Sequence, residues 1–247
     1  MKVFVIIPAA GLGTRMAAAP KAGRKPAASK QFTEIGGVPI LILTLRKFAA
    51  ADAVKEIYVA LPKGDAEHFR PRVEKEKLGK KVTLVEGGEN RQQSVANALA
   101  RVKAEDEDIV LVHDAVRPFV DGEIIRSVIE AAQKHGAAIA GVPAVDTVKQ
   151  VERTAEGAIV TSTIPRERVV QVQTPQGFRF ALLKKAFEEA SADGFTGTDE
   201  ASLVERAGHE VAVVMGSARN IKITTPADLE LAEFYLRQES RGRQGDL

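Results

Sequence analysis

Ala9-Ala10-Gly11-Leu12-Gly13-Thr14-Arg15 follows the apolar run Val3–Ile7 after a single proline, Pro8. Small residues at that place let a backbone pass close to a ligand and turn its N–H groups toward it. The chain then turns basic: residues 1–33 hold six Lys or Arg (Lys2, Arg15, Lys21, Arg24, Lys25, Lys30) and no Asp or Glu. Uncompensated cations beside a glycine loop suit a polyphosphate, above all a nucleoside triphosphate. A solvated basic loop is the plainer alternative. Gly11 and Gly13 match two glycines of a dinucleotide fingerprint, but Met16 stands at the third, and no GxxxxGK[ST] loop is present.

His113-Asp114-Ala115-Val116-Arg117-Pro118 is a second candidate. Asp114 facing the basic loop could hold Mg²⁺ against substrate phosphates, because Mg²⁺ needs only one or two protein carboxylates. The alternative is a structural ion pair with Arg117. His113 has no His or Cys at metal spacing and reads as buried and hydrogen-bonded. Taken alone, Arg166 and Lys222 read as surface charge and Ser94 as helix surface.

The elements that must position these residues follow from hydrophobic periodicity. Val3–Ile7 is a buried strand stopped by Pro8. Residues 32–39 form a short strand and a Gly36-Gly37 turn, and a helix runs from Pro39 to about Ala50. Strand 56–61, helix 65–77, strand 81–86 and helix 90–102 come next. Strand 108–112, helix 121–135 and strand 136–142 complete the alternation. It predicts a parallel sheet with right-handed crossovers and helices on both faces. Ligands in such sheets sit beyond the carboxyl ends of the strands. The loops Pro8–Arg15, Gly87–Ser94 and His113–Arg117 all fall there, so they are expected to converge on one cleft.

Residues 143–175 break the rhythm with β-type alternation around Glu156-Gly157, and read as a protruding β-hairpin arm. An isolated hairpin is marginal in water, so a partner subunit is expected to cover it. The α/β pattern resumes with helix 180–190, a TDEASLVERA segment at 198–207, a strand at 210–214, NIKIT at 220–224 and a last helix from Thr225 to about Arg237. One domain is expected over 1–237, arm included, with a polar, fraying tail at 238–247.

The 247 residues carry a net charge of only +2, so bulk charge does not argue for nucleic acid. The basic cluster also lacks interleaved aromatics for stacking beyond Phe32. The absence of cysteine excludes disulfides, thiolate zinc sites and Cys nucleophiles, and suits a reducing cytoplasm. Pro8, Gly11 and Gly13 interrupt the N-terminal apolar run, against a signal peptide. No stretch has the ~20 apolar residues of a membrane span.

PAAGLGTRM, SKQF, Gly87-Gly88-x-x-Arg91-x-x-Ser94-Val95, HDAVRP, DTVK, QTPQGF, TDEAS and NIKITTPADLELAEFYL occur in order over essentially the whole chain. As a set they closely resemble the 2-C-methyl-D-erythritol 4-phosphate cytidylyltransferases, within the nucleotidyltransferase superfamily. The resemblance implies an open, mostly parallel, Rossmann-like twisted α/β sheet and a homodimer joined by β-arms. It also implies Mg²⁺-dependent transfer of cytidylyl from CTP to methylerythritol 4-phosphate.

By position, Ala9, Ala10, Gly11 and Gly13 would wrap CTP. Gly88 and Ser94 would read the cytosine, and Ala115 would join the nucleotide site. Arg15 and Lys30 would neutralise the transition state, Lys222 would touch the α-phosphate, and Asp114 would hold the metal. Thr147 and Arg166 in the arm would grip methylerythritol phosphate, Arg166 across the dimer, with Arg117 and Thr198 beside it. Arg219 stands where some members carry an acidic residue, which removes a second metal carboxylate there. The rivals are a ribitol-5-phosphate cytidylyltransferase, a sugar-1-phosphate nucleotidyltransferase and a non-catalytic nucleotide- or nucleic-acid-binding protein.

Overall fold

The computed structural model describes residues 1–11 and 30–245, with side chains described for 1–11 and 31–240. The first strand, β1 (Val3–Pro8), is buried along its length and central to the sheet. Alternation of side chains across a strand sends its residues to two faces. Val3, Val5 and Ile7 enter one apolar core and Phe4 and Ile6 the other.

Short β2 (Glu34–Ile35) and β3 (Val38–Pro39) pair across the Gly36-Gly37 turn. They lead into α1 (Ile40–Ala49), whose Ile40–Leu45 and Phe48 are all buried. Pro39 closes β3 and stands just before the helix, one place earlier than the first-turn position predicted. Next come β4 (Val54–Leu61), α2 (Asp65–Lys75), β5 (Lys81–Glu86), α3 (Arg91–Leu99) and β6 (Ile109–Val112). Helix α4 (Gly122–His135) and β7 (Ala137–Pro143) follow. Side chains cap the starts of α3 and α4: Asn90 accepts from the Gln93 N–H at 2.8 Å, and Asp121 from that of Ile124 at 2.8 Å.

The arm is β8 (Val148–Thr154) with β9 (Gly157–Ile164), antiparallel and, among the described residues, paired only with each other. Then comes β10 (Val170–Arg179), which corrects the sequence reading. Residues 170–175 belong to a strand of the main sheet, not to the hairpin. This strand runs antiparallel to both β6 and β7, so the sheet is mixed and mostly parallel, as the family resemblance implies. The order is β11-β7-β10-β6-β1-β4-β5, with every other neighbouring pair parallel. VQVQTPQGFR hides its nature because its buried side chains include Gln173, Thr174 and Gln176. Gly177 is small because a Cβ there would lie 2.8 Å from Val128 of α4.

Helices α5 (Phe180–Ala192) and α6 (Glu200–Arg206), strand β11 (Ala212–Met215) and helix α7 (Pro226–Gly245) complete the chain. Residues 220–224 form neither helix nor strand. The last helix runs through most of the tail expected to fray. Lys47 pairs with Glu239 at 2.9 Å, and no helix breaker interrupts 227–240, so propagation continues. Among the described residues no helix is long and apolar enough to cross a membrane.

Candidate active site

The described parts of the three loops do converge. A cleft of about 370 Å³ at the carboxyl ends of the strands is lined by Ala9, Ala10, Gly11, Gly88, Ser94, Asp114, Ala115 and Lys222, among others. Close packing dictates glycine where two loops meet. The Gly87 N–H donates to the Leu61 carbonyl at 2.8 Å, and a Cβ on Gly87 would stand 2.3 Å from that of Ala10. Ser94 is buried, and its Oγ accepts from the Gly88 N–H at 3.0 Å and donates to the Asn90 carbonyl at 2.8 Å. It therefore shapes the Gly88 turn from within. Gln31 fastens the first loop, donating to the Ala9 carbonyl at 2.6 Å.

A second cleft of about 190 Å³ adjoins the first, lined by Arg117, Gln173, Thr174, Gln176, Thr198 and Asp199. Arg91, Asp114 and Lys222 line both and form the wall between them. Asp114 is the centre of that wall. Its Oδ2 is 2.8 Å from Lys222 Nζ and 3.5 Å from Arg117 Nε, and its Oδ1 is 3.2 Å from Arg91 Nε. Burial alone would raise its pKa. Arg91, Lys222 and Arg117 outweigh that and hold the carboxyl well below the ordinary carboxylate range. The ion pair with Arg117 is thus formed, within a larger cluster.

Arg91 is anchored on its other side by Glu200, whose carboxylate oxygens lie 2.7 and 2.8 Å from Nη1. Burial pushes the Glu200 pKa up despite this contact, while burial of Arg91 is overcome by Glu200 and Asp114, which raise it. His113 is wholly buried, with Nε2 3.0 Å from the Arg117 carbonyl and its ring edge-on to Phe48. Burial lowers its pKa to about 4, so near neutral pH it is an uncharged packing residue, as its sequence context suggests.

Thr147 and Arg166 line neither cleft within one chain. Thr147 is exposed, and Arg166 donates to the Val145 carbonyl at 2.8 Å. Gly13 and Arg15, and the side chain of Lys30, lie outside the described residues. The guanidinium of Arg219 sits 4.6 Å over the Tyr235 ring, on the α7 side. Among the described residues no group of three or more His, Cys, Asp or Glu is placed to hold a metal. Asp114, kept ionised, fits the one-carboxylate requirement of Mg²⁺, whose remaining ligands come from phosphates and water.

Sequence reasoning assigned no role to Arg91, Glu200, Gln173, Thr174, Gln176 or Asn220. All lie in motifs singled out by their order, and the usable signal was polar side chains inside strand-like or apolar surroundings. Gln176 donates to Asp199 Oδ2 at 2.7 Å and accepts from the Ala201 N–H at 3.1 Å, tying β10 to the start of α6.

The family model described as 2-C-methyl-D-erythritol 4-phosphate cytidylyltransferase matches residues 3–238. A protein of that name from Acidobacterium capsulatum is 61% identical over 240 residues, covering 97% of this chain and 99% of that protein. The crystal structure of the Thermus thermophilus protein of that name superposes with a TM-score of 0.75 at 38% identity, over 96% of this chain and 100% of the other. For the 4-diphosphocytidyl-2C-methyl-D-erythritol synthase of Anaerococcus prevotii the TM-score is 0.79 at 31% identity, over 96% and 98%.

Proposed function

The chain belongs to the 2-C-methyl-D-erythritol 4-phosphate cytidylyltransferase family, and from that premise we propose how its two clefts share the reaction. The enzyme transfers cytidylyl from CTP to methylerythritol 4-phosphate and releases pyrophosphate, a step of the non-mevalonate route to isoprenoids. The larger cleft takes CTP. Ala9, Ala10, Gly11 and Gly13 wrap its phosphates, Gly88 and Ser94 frame the cytosine, and Ala115 completes the nucleotide site. The smaller cleft takes the acceptor, with Arg117 and Thr198 at its phosphate. The observation that carries this division is the shared wall, where Lys222 Nζ lies 2.8 Å from Asp114 between the clefts.

The acceptor phosphate is already a nucleophilic oxyanion, its second pKa being about 6. No general base is required, which suits a strand end whose only histidine is buried and neutral. The task is electrostatic: two polyanions must be brought together and the charge of a five-coordinate α-phosphorus held while pyrophosphate leaves in line. Lys222 meets the α-phosphate, and Arg15 and Lys30 complete the cationic surround. Asp114 would hold Mg²⁺, which supplies further neutralisation of the phosphates.

The arm makes the enzyme a homodimer. Val151, Ile159, Val160 and Ile164 are exposed on a hairpin that pairs with no other strand among the described residues. Such a hairpin gains stability by packing. Across that interface Thr147 and Arg166 reach the acceptor cleft of the partner. The reaction runs in the cytoplasm, consistent with a chain free of cysteine.

The test is pyrophosphate release with Mg²⁺, crossing the four nucleoside triphosphates with methylerythritol 4-phosphate, ribitol 5-phosphate and glucose 1-phosphate. Release with CTP and methylerythritol 4-phosphate alone is expected. Release with ribitol 5-phosphate instead would keep the nucleotide cleft and overturn the acceptor assignment.

A further inference from the structure

We propose that Asn220 is a positioning residue. It holds Lys222 at the wall between the clefts and so sets the rate of the chemical step without touching either substrate. The proposal rests on the role given above to Lys222.

Residues 220–224 have no helix or sheet ladder to fix them, yet they carry a long, flexible cation to a defined point. Two anchors do this work. Downstream, the Ile223 N–H donates to the Val116 carbonyl at 3.0 Å, and its fully buried side chain packs with Ile35, Ile40, Leu43 and Phe119. Upstream, Asn220 is fully buried and its Nδ2 donates twice into β10, to the Thr174 carbonyl at 2.8 Å and to Gln173 Oε1 at 3.2 Å. Its Oδ1 has no hydrogen-bond partner among the described residues, so the side chain serves there as a donor. Lys222, between the anchors, keeps 40% of its side chain exposed and faces Asp114.

Thr174 makes the arrangement a common mount. Its Oγ1 accepts from the Asp114 N–H at 3.0 Å while its carbonyl accepts from Asn220. Asp114 and the segment bearing Lys222 are therefore referenced to one residue of β10. The Asn220 carbonyl also accepts from Arg117 Nη1 at 2.7 Å, a main-chain contact independent of the Asn220 side chain. Asn220 itself lines neither cleft. Only an uncharged side chain with a two-proton donor satisfies both acceptors; an aspartate would set a buried carboxylate against two oxygens.

The experiment measures kcat and both KM values for Asn220→Ala, Asn220→Ser, Lys222→Ala and the double variant Asn220→Ala/Lys222→Ala, with melting temperatures alongside. Misplacing a catalytic group by a fraction of an ångström costs rate rather than affinity. Asn220→Ala is expected to lower kcat about ten-fold, with KM for CTP held within about two-fold. Asn220→Ser, which keeps one donor, should recover part of the loss.

The ten-fold loss should vanish in the Lys222→Ala background, because nothing then remains to be positioned. A folded Asn220→Ala enzyme with full kcat would overturn the proposal, as would losses that multiply in the double variant. Where Asn220→Ala does not fold, Asn220→Ser with and without Lys222→Ala decides the same question. A fully active Lys222→Ala enzyme would instead overturn the reading of Lys222, a failure distinguishable from the failure of Asn220 alone.

Discussion

The wall between the clefts and the β8–β9 arm both carry ionic side chains, and they differ in what surrounds them. At the wall, Asp114 keeps 9% of its side chain exposed and meets Arg91, Arg117 and Lys222. Arg91 is held in turn by Glu200, and Arg117 by the Asn220 carbonyl. At the base of the arm, just beyond β9, Arg166 and Glu167 lie 3.7 Å apart with 56% and 76% of their side chains exposed. A pair of that kind contributes almost nothing in water. One chain is thus sufficient to build the wall. The arm, with Ile159 and Val160 turned to solvent, pairs with no other strand among the described residues.

The sharpest way to break this contrast is at Lys222. Lys222→Ala should lower kcat by roughly 10²-fold or more, the usual loss for one transition-state contact, with little change in melting temperature. Near-normal turnover would remove the wall from the chemistry. Arg166→Ala should lose activity comparably, yet mixing its subunits with Lys222→Ala subunits should restore one intact site per heterodimer. No recovery in verified heterodimers would mean that Arg166 serves its own subunit.

Next in size is the buried support. Glu200→Ala removes one of the two buried carboxylates that hold Arg91 and should cost roughly 3 kcal/mol in urea unfolding, the lower end for breaking a buried pair. A change below about 0.5 kcal/mol, typical of surface positions, would show that the wall is no better held than the arm. Ile159→Glu should do the reverse. Sedimentation should move from dimer to monomer, while the unfolding free energy of the monomer shifts by no more than about 0.5 kcal/mol.

The smallest expected effect is the pH response of the wall's foundation. Burial keeps His113 neutral down to about 4 rather than 6.5, so the unfolded chain takes up that proton first. Its contribution is complete above 6.5 and is lost as the pH falls toward about 4. Asp114, whose pKa is depressed in the fold, contributes fully above its ordinary 3.8 and loses that contribution only below it. Urea midpoints should therefore fall between pH 7 and 5, and His113→Asn should flatten the slope. An unchanged slope in that variant would assign the response to another group.

Much of the architecture was legible from pattern. The Val3–Ile7 run and the glycines at 87 and 88 each state a local requirement in their own residue type. Strands alternating with helices then put three loops at one end of the sheet. The strand at Val170–Arg179 was not legible, since a run holding two buried glutamines, a threonine, a proline and a glycine has no apolar period to read. Its polar residues are buried because they fasten loops that arrive from elsewhere: Asp114, Ser217, Asn220 and Asp199.

By itself the sequence determined the chain's family and the α/β alternation, because these reside in local composition and ordered motifs. Only the tertiary structure decided that Asp114 is gripped by three cations, that Arg91 is shared by two clefts and that one antiparallel strand carries the mount for both Asp114 and Lys222. Several contacts of that region join residues more than a hundred positions apart, such as Lys222 with Asp114, Arg91 with Glu200 and Arg117 with Asn220. No local pattern encodes such a distance. It is set by the order in which the strands pack.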